Sequence, residues 1–347
     1  MSTRPGPVQY SFFELEENPV LVRIRQEVTK LKTAAKAPNT FKAYAHGWKI
    51  FSDWVQTDEC PRELFGEGSK EPLPTSPEIV QAFIAWASEL REPRPYKLGT
   101  IQVALTAIKR YHMQAGHPVP MNEAVRDALA GVVRNAARDG ERAEEAGKKH
   151  LTVTQLKKIC HSLRGLDGLV VRDRAIILTG FVSALRRSDL SRLQTHHVHF
   201  EEGRVRLYVP YSKSDQLGKG RDVYMDPGAD PKLCPVRALE AWKKFRLEYS
   251  GHFRGPLFVR FDWRGAMTQL PLREQGICDV LKRRLERAGE DARDYGAHSM
   301  RSGMITSAHA AGANLRAIMD RTGHKSIDTI MRYVKSAPKT NPLAGVL

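Results

Sequence analysis

Apolar positions in the first 140 residues return every three or four places, the period of a helix with one buried face. Val20, Leu21, Ile24, Val28 and Leu31 form such a stripe and predict a helix over residues 19 to 37. Tyr44, Trp48, Phe51 and Val55 mark a second, with Asn39 or Thr40 behind Pro38 as its cap. Ser76 and Pro77 open a third. Serine can accept from an open N–H, and proline lacks the N–H that a first turn leaves idle. Ile79, Phe83 and Trp86 follow on one face. Thr100 is expected to cap a helix that carries Ile101, Leu105, Ile108 and Met113 inward and ends near Gly116. A fifth runs over residues 122 to 138 with Val125, Leu129 and Val132 inside.

The periodicity stops at residues 136 to 150, A-A-R-D-G-E-R-A-E-E-A-G-K-K-H, a charged run with no aromatic or large aliphatic side chain. It reads as a linker. Thr152 and Gln155 then have capping-box spacing ahead of Leu156, Ile159 and Leu163, so a second domain starts near residue 148. Helices are expected over 172 to 180 and 188 to 193. The period next changes to two: V-H-F, an E-E-G turn, R-V-R-L-Y-V-P, the loop Y-S-K-S-D-Q-L-G-K-G and R-D-V-Y-M predict three antiparallel strands. After Pro235 helical periodicity returns, apart from G-P-L-F-V at 255 to 259. The predicted fold is mainly α: an N-terminal all-helical domain, then a C-terminal α+β domain with a small three-stranded antiparallel sheet.

Charge narrows the function. With 55 Lys and Arg against 39 Asp and Glu, the formal charge is +16, which favours a polyanionic partner. Nucleic acid leads and an anionic membrane comes second. The chain lacks an apolar run of membrane-spanning length and a signal-peptide core, so a cytoplasmic location is expected. Cys60, Cys160, Cys234 and Cys278 are widely spaced, which argues for reduced packing residues over a zinc ribbon or a disulfide framework. His196, His197 and His199 sit in an alternating stretch and read as outward positions of a strand, not as metal ligands.

Four separated segments hold basic or proton-transferring residues, and each is ordinary when taken alone. S-A-L-R-R-S-D-L, residues 183 to 190, is a charged helix start. The loop from Lys213 to Lys219 is a basic hairpin tip. In H-S-M-R, His298 and Arg301 stand at i and i+3, a spacing that turns imidazole and guanidinium to one side of a helix. In T-G-H-K-S-I-D-T-I-M-R-Y-V, His324 precedes Tyr333 by nine residues, and a lone tyrosine there is ordinarily a core aromatic.

Together and in this order the segments resemble the tyrosine recombinase family, also called phage integrases. The pattern is an Arg with an acid three residues later, a Lys on a β-hairpin, H-x-x-R, G-H, and a Tyr nine residues past that His. Matched position by position, it selects Arg186, Asp189, Lys213, His298, Arg301, His324 and Tyr333. Arg187 and Lys219 are the register alternatives, and Tyr295 is passed over because the G-H spacing selects Tyr333. Ala184, Met300 and Thr322 stand where Gly, Leu and Leu are frequent, and are read as packing positions. The resemblance is strong over 148 to 335. It implies a tail over 1–18, a helical DNA-clamping domain over 19–138, a linker over 139–147, a catalytic domain over 148–335, and a tail over 336–347 that docks in a neighbouring protomer.

The resemblance also implies a chemistry. Arg186 and Arg301 hold the non-bridging oxygens, His324 adds a donor, Lys213 protonates the leaving 5′ oxygen, His298 takes the phenolic proton and Asp189 orients His298 or Arg186. Tyr333 would form a 3′-phosphotyrosine, with neither metal nor ATP nor any other cofactor. The partners implied are double-stranded DNA with inverted repeats and three further copies of the chain. A type IB topoisomerase shares the chemistry but rejoins the same strand, and a catalytically inactive DNA-binding protein would keep only the cations.

Overall fold

A computed structural model describes residues 19–34, 38–66, 70–138, 148–212, 215 and 218–334. The chain divides into a unit over 1–145 and a unit over 146–347, each with its own apolar core. Residues 1–18, 139–147 and 336–347, given above to two tails and a linker, lie outside the described residues, as does Lys213.

In the N-terminal unit α1 (Pro19–Ala34) is followed by α2 (Pro38–Val55), a 3-10 turn (Arg62–Phe65), α3 (Pro77–Ala85), a π-helical turn (Trp86–Leu90), α4 (Leu98–Ala115) and α5 (Glu123–Arg138). Ser76 caps α3 as expected, its hydroxyl accepting from the N–H of Ile79. Phe51, Trp54, Phe83 and Trp86 form the core, with Phe51 edge-on to Phe83 at 5.3 Å between centroids. Helices α2 and α4 cross where Gly47 allows it, since a Cβ there would lie 2.9 Å from the Ala104 backbone.

Three expectations for this unit fail. Thr100 is not a cap: Lys97 holds the extended cap conformation, and the N–H of Thr100 donates to its carbonyl. Helix α2 opens at Pro38, so Asn39 and Thr40 lie inside its first turn. The stripe of α1 is exposed, with Val20 64% and Leu31 69% accessible, and Met113 is 63% accessible on α4. Period sets a helix, whereas burial depends on a neighbour.

In the C-terminal unit α6 (Val153–Ser162) follows the Thr152–Gln155 capping box. Helix α7 (Gly168–Ser183), capped by Asp167, is buried along nearly its whole length and packs on α9, α10, α11 and strand β3. A central helix buries every side, and the charges that α7 buries, Arg172 and Asp173, are paired with each other. After α8 (Arg187–Arg192) come β1 (Val198–Glu201), β2 (Arg204–Val209) and β3 (Arg221–Met225), antiparallel in that order. Val205 pairs with Met225 and Leu207 with Val223, so the apolar side chains share the inner face. Then follow α9 (Pro235–Ser250), β4 (Val259–Phe261), β5 (Met267–Pro271), α10 (Glu274–Arg287), α11 (His298–Ala310), α12 (Leu315–Thr322) and α13 (Ile327–Val334).

The break in helical pattern expected at 255 to 259 proves longer: it leads into β4 and a hairpin that runs on to Pro271. Its turn is built by Asp262, whose carboxylate accepts from the N–H groups of Arg264 and Ala266, and by Gly265 at φ 81°. His199 is exposed on β1 as expected, whereas His196 and His197 are placed differently. Thr195–His197 is a 3-10 turn ahead of β1, and buried His197 accepts the Gln194 N–H at Nδ1, so it does not face outward. All four cysteines are buried free thiols. No helix among the described residues is long and apolar enough to cross a membrane.

Candidate active site

Four helices bring their ends together. Helix α7 terminates at Ala184, whose φ of 52° makes it the one described non-glycine residue in the left-handed region. Chirality penalises that conformation at alanine, and it turns the chain sharply into Arg186 and α8. The Ala184 carbonyl accepts from Arg301 on α11 at 2.5 Å. Position 184 therefore sets backbone direction and anchors an arginine, which is more than packing. Met300 does pack, its sulfur 2.9 Å from where a Cβ on Gly180 would stand.

Helix α11 starts at His298, so His298 and Arg301 lie one turn apart at its N-terminal end. Arg301 is only 1% exposed, and its buried Nε has no hydrogen-bond partner. One terminal nitrogen lies 2.8 Å from Nε2 and 3.4 Å from Nδ1 of His324, over the nitrogen edge of the ring. His324 follows Gly323, which closes α12 in the left-handed conformation at φ 69°. Tyr333 is on α13, which packs against α11. Its hydroxyl lies 2.8 Å from Nε2 of His298.

The charges shape these groups. Burial pulls Arg301 down to about 10, helped by Arg186, which leaves it cationic at neutral pH. His324 is pushed down to about 3, by burial first and then by Arg301, Arg186, His298 and Arg221. His298 remains solvent-exposed, and the partial burial of its ring, then Arg301 and Arg186, lower its pKa. Both imidazoles are therefore neutral at pH 7. A neutral His298 can accept the phenolic proton of Tyr333 across the observed contact.

The remaining positions fall as follows. Arg186 is half-buried and close enough for its charge to act on Arg301, His298 and His324. Arg187, its register alternative, turns away to Glu274 at 3.1 Å. Asp189 is buried, with Oδ1 accepting from Arg192 at 2.8 Å and from the Ser188 hydroxyl at 3.3 Å. Its Oδ2 has no hydrogen-bond partner; of the two residues it is expected to orient, His298 or Arg186, no bond to His298 is present. Lys219 is exposed, and its backbone N–H donates to Asp215. Tyr295 is buried away from the cluster, where Gln155 donates to its hydroxyl.

Sequence reasoning missed Arg221, the first residue of β3. It donates to the main-chain carbonyl of Arg321 at 2.6 Å, one turn from His324, and its charge acts on Asp189, Arg301 and His324. Its only signal in the sequence is a cation at the base of the basic hairpin.

A phenol held on a neutral base beside fixed guanidiniums is equipment for attack on a phosphodiester, which places the chain among enzymes that handle nucleic acid strands through tyrosine. Residues 149–340 match the phage integrase family, and the chain belongs to that family of site-specific tyrosine recombinases. It is 30% identical over 303 residues to an integrase/recombinase xerD homolog of Selenomonas ruminantium, covering 87% of this chain and 82% of that protein. It is 22% identical over 315 residues to recombinase cre of Escherichia phage P1, covering 84% of each. In fold it is similar to the XerH site-specific recombinase bound to difH substrate in a pre-cleavage complex, with TM-score 0.58, 15% identity, and coverage of 93% of this chain and 88% of that one.

Proposed function

We propose that Tyr333 attacks a phosphodiester of double-stranded DNA, and the 2.8 Å contact between its hydroxyl and His298 carries this reading. The phenolic proton passes to His298 Nε2 as the Tyr333 oxygen bonds to phosphorus. The bond from phosphorus to the 5′ oxygen breaks, and Lys213, on the hairpin loop, gives that oxygen its proton. A 3′-phosphotyrosine and a free 5′ hydroxyl result. Arg186 and Arg301 hold the non-bridging oxygens with planar, permanently charged donors, and His324 adds a third donor. Asp189 neutralises part of the arginine cluster. The 5′ hydroxyl of a second strand then attacks phosphorus and returns the proton path in reverse, so bond energy is conserved and no nucleotide is consumed.

Strand exchange, as opposed to simple relaxation, needs two DNA sites and four protomers. The site is proposed to be an inverted repeat about a short spacer, with α2 and α4 entering the major groove and residues 336–347 docking on the neighbouring protomer.

The test uses a library of nicked duplexes with randomised arms, incubated with the full chain and resolved under denaturing conditions. The wild type is expected to trap a covalent adduct whose DNA, once sequenced, reveals an inverted repeat. Tyr333→Phe gives none, and His298→Ala slows adduct formation by about 10²-fold or more. An unchanged adduct in Tyr333→Phe overturns the assignment. Closed-circle relaxation without exchanged strands would favour the topoisomerase reading.

A further inference from the structure

Two places before His324, Thr322 is fully buried in the last turn of α12. Its Oγ1 lies 2.7 Å from His324 Nδ1, 2.7 Å from the Ile318 carbonyl and 3.2 Å from the Met319 carbonyl. Across the ring, Arg301 stands 2.8 Å from Nε2. The carbonyl end of this chain fixes its sense, because a carbonyl can only accept: the Thr322 hydroxyl proton goes to Ile318, and the ring proton is on Nδ1 and is given to Thr322. The Arg301 nitrogen, close to both ring nitrogens and so above the ring, sets a cation against a bare Nε2.

In that arrangement Nε2 has no proton to offer an anion. A phosphoryl oxygen that draws the Arg301 N–H to itself leaves Nε2 free to become a donor, but a neutral ring carries one N–H only. Nε2–H thus requires a bare Nδ1, and a bare buried nitrogen needs a donor of its own. Rotation of the Thr322 hydroxyl from the Ile318 carbonyl to Nδ1 supplies one. The Ile318 and Met319 carbonyls keep the backbone N–H groups of the helix end, including that of Gly323 on Met319. Protons balance: Nδ1 gives one to solvent, Nε2 takes one from solvent, and Thr322 keeps its own.

We infer that Thr322 is a positioning residue that decides which nitrogen of His324 carries the proton, Nδ1 while Arg301 rests on the ring and Nε2 when a phosphoryl anion accepts from both. The inference rests on the reading of the site as a phosphodiester site. In the anion-free site a doubly protonated ring is opposed by the burial and surrounding cations that push His324 down to about 3; a ring that shows both N–H groups with phosphate bound would overturn the inference. Leucine, frequent at this position in the resembling family, can neither donate nor accept, so the device belongs to this chain's own sequence.

The test is long-range proton–nitrogen NMR of the His324 ring in the full chain, alone and with inorganic phosphate as the anion probe. The wild type is expected to show Nδ1–H alone and to move toward Nε2–H on addition of phosphate. Thr322→Ser does the same, while Thr322→Val, of nearly equal shape, shows no phosphate-driven exchange. With the duplex captured from the library, Thr322→Val forms adduct roughly tenfold more slowly, about 1.4 kcal/mol, and Thr322→Ser stays within about twofold of wild type. Should Thr322→Val melt early, Thr322→Ala replaces it. A wild-type ring unmoved by phosphate, or a valine variant that moves as the wild type does, overturns the inference. Absence of any wild-type adduct would overturn the nucleophile assignment instead and leave the phosphate measurement standing.

Discussion

Around Phe83 in the N-terminal unit, Phe51, Trp54 and Trp86 meet ring to ring. Around Asp173 in the C-terminal unit, three guanidiniums converge on one carboxylate: Arg172 on Oδ1, Arg283 and Arg284 on Oδ2. The contrast extends outward. Among the described residues, the buried polar side chains of the N-terminal unit are Thr75 and His112; the Thr75 main-chain N–H donates to His112, whose other ring nitrogen meets the Ile108 carbonyl, while the Thr75 hydroxyl has no hydrogen-bond partner. The C-terminal unit buries Arg172, Arg246, Arg284 and Arg301, and these or their half-buried neighbours hold main-chain carbonyls: Arg172 that of Val259, Arg246 that of Pro256, Arg301 that of Ala184, Arg174 that of Leu163. A fold that must present cations to a phosphate can fix them by tying their other N–H groups to its own backbone. A unit held by ring packing has no such need, and its stability follows apolar area instead.

The comparison breaks most visibly at Asp173. Asp173→Ala leaves three cations without their shared anion and is expected to cost about 3–5 kcal/mol. Urea unfolding followed by amide exchange should place the loss in residues 148–334 and spare the N-terminal unit. Equal loss in both units, or none, would show that the charged cluster does not hold this core.

Next in size is the exception within the aromatic unit. His112 accepts the Thr75 N–H at Nε2 and donates to Ile108 from Nδ1, and burial lowers its pKa. The unfolded chain, with a histidine near 6.5, then binds more protons than the folded one below that pH. Stability is present in full above about pH 6.5 and falls as the solution is acidified, by at most about 1.4 kcal/mol per pH unit for this group. His112→Gln should flatten the slope between about pH 6.5 and 5 for the N-terminal unit, measured by chemical unfolding at each pH. An unaltered slope would assign the acid sensitivity elsewhere.

The smallest effect sharpens the picture at the backbone. Ala184→Gly removes the steric cost of a left-handed alanine and should stabilise the C-terminal unit by about 0.5–1 kcal/mol, net of the freedom glycine gains in the unfolded chain. A lower unfolding midpoint in that variant would mean that the Ala184 methyl group, itself fully buried, contributes more than the conformation costs.

Much of the architecture was legible in local signals. Ser76, Thr152 and Gln155 act where the side-chain chemistry of a helix start requires them. The three strands follow their period-two pattern to within a residue. The G-H-to-Y spacing places His324 and Tyr333 on consecutive elements, α12's end and α13. Beyond the break read at 255 to 259, the β4–β5 hairpin escaped because its signal is one Asp and one Gly inside a short polar turn, with strands too brief to show a period. The exposure of α1 escaped because an apolar stripe says that a face can be buried, not that a partner is present.

What the sequence by itself determined is which chemical groups the chain owns and on what local elements they ride: two arginine segments, two histidines and a tyrosine at spacings that suit a helix start and a helix end. Only the tertiary structure decided how they serve one another. It set the phenol on His298, gave Arg301 to the Ala184 carbonyl and to His324, and sent Arg187 away to Glu274. It also drew in Arg221 and Thr322. Spacing along a chain fixes direction within one turn of helix. Hydrogen bonds and charge act through distances of a few ångströms between residues as far apart as 184 and 301, and those distances exist only once the elements are packed.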